Sequence, residues 1–104
     1  MIRKLKRGRI QKLVGSAQAM PPHDSPWEWE VRWDGGEPLV RGTTLSCRQA
    51  VRSIGAALGD ALASLDCYCI LSDDENLDLR TEYYRVIEVF IPEPAGAPDW
   101  GDAA

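Results

Sequence analysis

The chain has 104 residues, enough for one small domain and too few for separate cofactor and substrate domains. Apolar residues make up 44% and charged residues 27%, an ordinary globular balance, and no apolar run approaches the roughly 20 residues of a membrane-crossing helix. The net charge of −4 is unevenly divided: residues 1–12 hold six bases (Arg3, Lys4, Lys6, Arg7, Arg9, Lys12) and no acid, while the remainder holds six bases against sixteen acids. A basic arm thus precedes an acidic body, and such an arm suits phosphate or an acidic partner. The arm has no apolar stretch of signal-peptide length, so a cytoplasmic location is expected.

Residues 2–14 admit two readings. Ile2, Leu5, Ile10, Leu13 and Val14 partly fit a helical stripe, whereas 9–15 also fits a strand. Gly8 weighs against the helix, which favours a flexible arm over 1–8 leading into a strand near 9–15. MPPHDSP (20–26) is a breaker, because its three prolines suit neither helix nor sheet ladder.

WEWEVRW (27–33) is the clearest strand. Trp27, Trp29, Val31 and Trp33 share one face, and Glu28, Glu30 and Arg32 share the other. DGGEP follows, and Pro38 bears on where the turn falls. A Gly35-Gly36 turn puts Pro38 opposite Trp33 in a non-hydrogen-bonded pair, where its missing N–H costs nothing. That register pairs Val31 with Val40, Glu30 with Arg41, and Trp29 with Gly42, whose bare backbone the indole can cover. The proline also marks 38–44 as an edge strand. The three tryptophans then read as core, with Trp29 at the centre and Trp27 and Trp33 at the strand ends.

LSCRQAVRSIGAALGDALASL (45–65) is the strongest helix. Ser46 and Gln49 form a capping box, with Leu45 placed as a hydrophobic staple. Ala50, Val51, Ile54, Ala57, Leu58, Ala61, Leu62 and Leu65 form one apolar stripe. Gly55 and Gly59 lie beside it at a cost of about 1 kcal/mol each in helix propensity. Something is therefore expected to approach closely there, either the sheet beneath or the helix of a second copy. This makes Gly55 and Gly59 candidate homodimer contacts.

CYCIL (67–71) reads as a buried strand, SDDENLDLR (72–80) as a polar connection, and EYYRVIEVFIP (82–92) as a further strand. The last has apolar residues on both faces, so it is either central or exposes its second face to a partner. Residues 93–104 have the composition of an acidic tail, with Trp100 as its one large apolar residue. The expected fold is α+β: a four- to five-stranded, mostly antiparallel sheet packed on one amphipathic helix, in a single domain over 9–92.

Chemistry has few footholds in this pattern. His23 is the one histidine and has no nucleophile beside it in sequence to activate. Cys47 would begin the helix, where a dipole can lower a thiol pKa, yet only His23 could serve as its base. Cys47, Cys67, Cys69 and His23 lack the close ligand pairs of a zinc site, so the thiols are expected to be reduced and mostly buried. The acidic run lacks the alternating ligands and distant glutamate of a calcium loop, and no phosphate-binding glycine motif is present.

The pattern therefore points to a protein with no catalytic site, metal or cofactor. The expected function is a protein-binding module or inhibitor acting through an acidic surface, with Asp73, Asp74, Glu75, Asp78 and Trp100 as contact residues. Short acidic accessory proteins of phages and other mobile elements, some of them inhibitors of host defence, offer an analogy. The rival expectation is nucleic-acid binding through residues 1–12, chiefly Arg3, Lys4, Lys6, Arg7 and Arg9.

Overall fold

The computed structural model describes residues 7–20, 26–76 and 82–93. Five strands and one helix follow in the order β1 (Gly8–Ala19), β2 (Trp27–Trp33), β3 (Pro38–Thr44), α1 (Cys47–Ala63), β4 (Cys69–Asn76) and β5 (Glu82–Pro92). The strands form one antiparallel sheet in the spatial order β3-β2-β1-β5-β4, the expected α+β architecture.

The basic arm gives way to strand at Gly8. Strand β1 runs for 12 residues, well past the expected 9–15, and takes the centre of the sheet between β2 and β5. Its small residues make that place workable. Leu13, Gly15 and Ala17 all face the helix, and a Cβ on Gly15 would overlap Ile54 Cγ2. The close approach between helix and sheet that Gly55 and Gly59 suggested is therefore supplied from the strand side. A Cβ on Gly55 or Gly59 would meet nothing within 4 Å among the described residues, because both point away from the sheet.

The β2–β3 register is the expected one over its outer part: Val31 pairs Val40, Glu30 pairs Arg41 and Trp29 pairs Gly42. The turn itself differs from expectation. Gly36 N–H donates to the Trp33 carbonyl at 2.8 Å, which centres the turn on Asp34-Gly35, with Gly35 at φ +83°. The register then shifts between Val31 and Arg32, so Pro38 faces Arg32 and Leu39 takes no pair. A bulge thus reconciles the tighter turn, whose positive φ only glycine adopts freely, with the register the core requires.

The indole of Trp29 lies on Gly42, where a Cβ would come within 2.8–2.9 Å of Nε1, Cε2 and Cζ2. Covering this edge glycine keeps Trp29 half-buried, and Trp27 becomes the most buried of the three at 4% exposure. The expected ranking of the tryptophans is thus inverted, although all three occupy the core face.

Helix α1 packs mainly on β1, β2 and β3. Ser46 caps it by accepting from Gln49 N–H at 3.2 Å, and Gln49 Oε1 accepts in turn from Leu45 N–H. The Leu45 residue is 74% exposed rather than packed down as the expected staple. Ala50, Ile54, Leu58 and Leu62 project into one core with Leu13, Val31, Tyr83, Ile87, Val89 and Ile91.

Strand β5 is an interior strand, as its two apolar faces suggested. Strand β4 corrects the sequence reading in two ways. It is an exposed edge rather than a buried strand, and it extends through Asn76, so the acidic run to that point is strand rather than connection. Cys67 and Cys69 are accordingly exposed thiols, not buried ones.

Candidate functional site

The first expected contact residues lie along β4. Paired residues of an antiparallel ladder share a face, so the β4–β5 register assigns each side chain. Ile70 lies opposite Val89 and faces the helix side; Leu71 is the bulged residue. The bulge reverses the parity. Asp73 and Glu75 then face the helix side, opposite Ile87 and Arg85, while Ser72, Asp74 and Asn76 face the other side.

Asp73 and Glu75 are engaged within the chain. Asp73 accepts two hydrogen bonds from Arg85, from Nε at 3.0 Å and Nη2 at 2.8 Å. This paired guanidinium holds the Asp73 carboxyl below the usual carboxylate range, and the same bond raises Arg85. The Tyr83 hydroxyl donates to Glu75 Oε2. Burial first, and then the Glu75 carboxylate, push Tyr83 well above the ordinary phenol value. The acidic run is thus only partly a free surface: Asp73 is neutralised, Glu75 is tied to a buried ring, and Asp74 projects from the opposite face.

The other expected sites disperse. Asp78, Trp100, Arg3, Lys4, Lys6 and His23 lie outside the described residues. Arg7 stands just before β1, its carbonyl accepting from Glu93 N–H at 2.7 Å, and Arg9 is exposed on the helix side opposite Ile91. Burial raises the Cys47 thiol above its ordinary value, the opposite of what a nucleophile at a helix start requires. Among the described residues, no three histidine, cysteine or acidic side chains converge as metal ligands.

Two features escape a reading of the sequence alone. On the sheet face opposite the helix, a shallow concavity of about 360 Å³ is lined by Glu28, Glu30, Glu82, Arg41 and Tyr84 among others. The polar alternation of β2 holds part of this signal, but bringing Glu82 into one row with Glu28, across Gln18, needs the β1–β5 pairing. The second feature is the apolar content of the same face. Ile10 is 59% and Tyr84 43% exposed there, with Val14, Val86 and Phe90 half-buried beside them. No helix among the described residues is long and apolar enough to cross a membrane. Compared with protein-family models, characterised proteins and solved structures, the chain shows no significant match.

Proposed function

We propose that the protein is a non-enzymatic binding module, an intracellular inhibitor or adaptor that takes up an extended, basic segment of a partner protein along the edge strand β4. One observation carries this reading: β4 is an eight-residue outermost strand whose residues are nearly all exposed. A free edge offers unpaired backbone donors and acceptors to an added strand. The half-exposed side chains of Ile70 and Leu71 offer apolar contact, while Asp74 and Glu75 supply negative charge for a basic strand. Pairing β4 with its own copy in antiparallel fashion would instead bring the acidic run against itself, which selects for a different partner. The analogy with phage-encoded and mobile-element inhibitors belongs to this reading and rests on size and charge.

Affinity purification followed by mass spectrometry, with and without nuclease, tests it. A partner captured at low salt is expected to survive nuclease, to be released as salt rises, and to be lost with the Ile70→Lys/Leu71→Lys variant. Both substitutions fall at half-exposed positions, so the sheet should survive them. A partner set unchanged by the variant would overturn the edge reading. Capture abolished by nuclease would transfer the function to the basic residues Arg3, Lys4, Lys6, Arg7 and Arg9.

A further inference from the structure

The sheet face opposite the helix has no covering element among the described residues, and its ladders lay its side chains out in level rows. Across β1 and β5, Ile10 stands beside Phe90, Lys12 beside Glu88, Val14 beside Val86 and Ser16 beside Tyr84. The Val14–Val86 row continues outward to Arg32 on β2 and Asp74 on β4. It therefore reads cation, apolar, apolar, anion, with the Arg32 guanidinium also donating to the Glu30 carboxylate and the Gly36 carbonyl of its own chain. The row beside it reads Lys12, Glu88, Ser72, and the next begins with Ile10 and Phe90.

We infer that this face is the interface of a symmetric homodimer in which the two sheets pack face to face. Take a two-fold axis parallel to the strands, in the plane between the copies and midway between β1 and β5. It exchanges β1 with β5 and β2 with β4 while keeping every row level. Val14 of one copy then lies over Val86 of the second, Ile10 over Phe90, and Lys12 over Glu88. At the rim Arg32 lies over Asp74, and the symmetry repeats each contact in reverse. Glu30 falls over Asn76 and Gln18 over Glu82, so no two described residues set like charges against each other across these strands. Along the two central strands the apolar pairs Val14–Val86 and Ile10–Phe90 flank one charged pair, Lys12–Glu88, and Arg32 and Asp74 stand at the margin, across sheets packed about 10 Å apart.

The charge pattern is what commits this face to a second copy. A row reading plus, apolar, apolar, minus is complementary to itself under that axis and to no uniformly charged partner. The alternatives within the same chain lack this match, since β4 against β4 opposes acids and Gly55 and Gly59 themselves project no side chain. This interface leaves the outer backbone edge of β4 unpaired but shares Asp74 with the strand addition proposed there; the Ile70→Lys/Leu71→Lys variant, which alters the edge and none of the dimer rows, separates the two.

Sedimentation equilibrium on the full chain decides the matter. The expected mass is twice the 11.5 kDa of one chain at concentrations up to about 100 μM, which spans the weak end of specific association. Arg32→Glu and Asp74→Lys should each weaken the dimer at least tenfold, because each opposes like charges at two symmetric places. Mixed in equal amounts, the two variants should dimerise again. The glutamate introduced at position 32 of one chain would then meet the lysine introduced at position 74 of the other. No effect within one chain can produce that rescue: two strands separate the positions, about 14 Å at ordinary strand spacing. Circular dichroism of each variant checks that the sheet is intact before mixing. A monomeric native chain, a dimer indifferent to both single variants, or a mixture that stays monomeric would overturn the inference.

Discussion

At the scale of single residues, the fold depends on where side chains are missing as much as on where they pack. Gly15 lets Ile54 seat directly on the centre of β1, and a Cβ there would overlap Ile54 Cγ2, so a larger residue forces Ile54 to shift. Gly15→Val should destabilise by about 1–3 kcal/mol through overpacking, measured by urea unfolding. Gly55→Ala is the matched control. It adds a Cβ into open space on the helix and should stabilise by up to about 1 kcal/mol through helix propensity. Loss of stability in the second variant would mean that something does cover the glycine strip.

Asp73 carries a further residue-scale expectation. Its folded pKa is lowered by Arg85, so its contribution is present above the unfolded value near 4 and is lost as pH falls through the folded one. Its side chain is about a third exposed, which screens the pair and limits the effect to roughly 0.5–1 kcal/mol. Asp73→Asn should therefore lower stability at pH 7 by that amount, with the difference shrinking as pH falls through the folded pKa and the native carboxylate is itself protonated. Thermal unfolding followed across that range gives the comparison.

At the scale of elements, local patterns are legible wherever a local cause decides the outcome. The alternation of WEWEVRW, the apolar stripe of α1 and the two-faced pattern of EYYRVIEVFIP each predict the observed element within a few residues. The departures share a different origin. CILSDDEN divides, on its residues alone, into a buried strand and a connection, because nothing in it says that only one neighbour will pair with it. Residues 8–19 look shorter as a strand than they are, because the small residues that weaken β1 by propensity are those that admit the helix. The position of a strand within a sheet is decided by distant segments, and so is the facing that separates Asp74 from Asp73 and Glu75. Amide hydrogen exchange should reveal the same hierarchy. Protection is expected to be strongest in β1 and β5 and weakest in β4, where half the backbone groups meet no other strand. Uniform protection across the five strands would contradict an open edge.

At the scale of the whole molecule, the one helix and five strands of the described residues leave the two faces of the sheet unlike. The helix accounts for one face of the sheet, while the other, bare among the described residues, carries apolar side chains with the Lys12–Glu88 pair between them and Arg32 and Asp74 at its sides. The proposed dimer surface is hardest to read from sequence for this reason. Arg32, Val14, Val86 and Asp74 come from four separate strands and form a row only after the sheet is assembled. Self-association through that row has a thermodynamic signature besides mass. The melting temperature should rise with protein concentration, because mass action couples dimer formation to folding. It should cease to depend on concentration in the Arg32→Glu variant.

The central position of β1 also governs how the chain can be made. Its neighbour on one side, β2, follows within a few residues, but its neighbour on the other, β5, is made only after β2, β3, α1 and β4. During translation β1, β2, β3 and α1 can associate early, while one flank of β1 waits for residues 82–92. Closing that gap requires the longest loop in the domain, which makes the β1–β5 union the slow, late step. Any nascent chain stalled before β5 emerges would present a second bare strand edge, at the centre of the future sheet, to every other unfinished copy nearby.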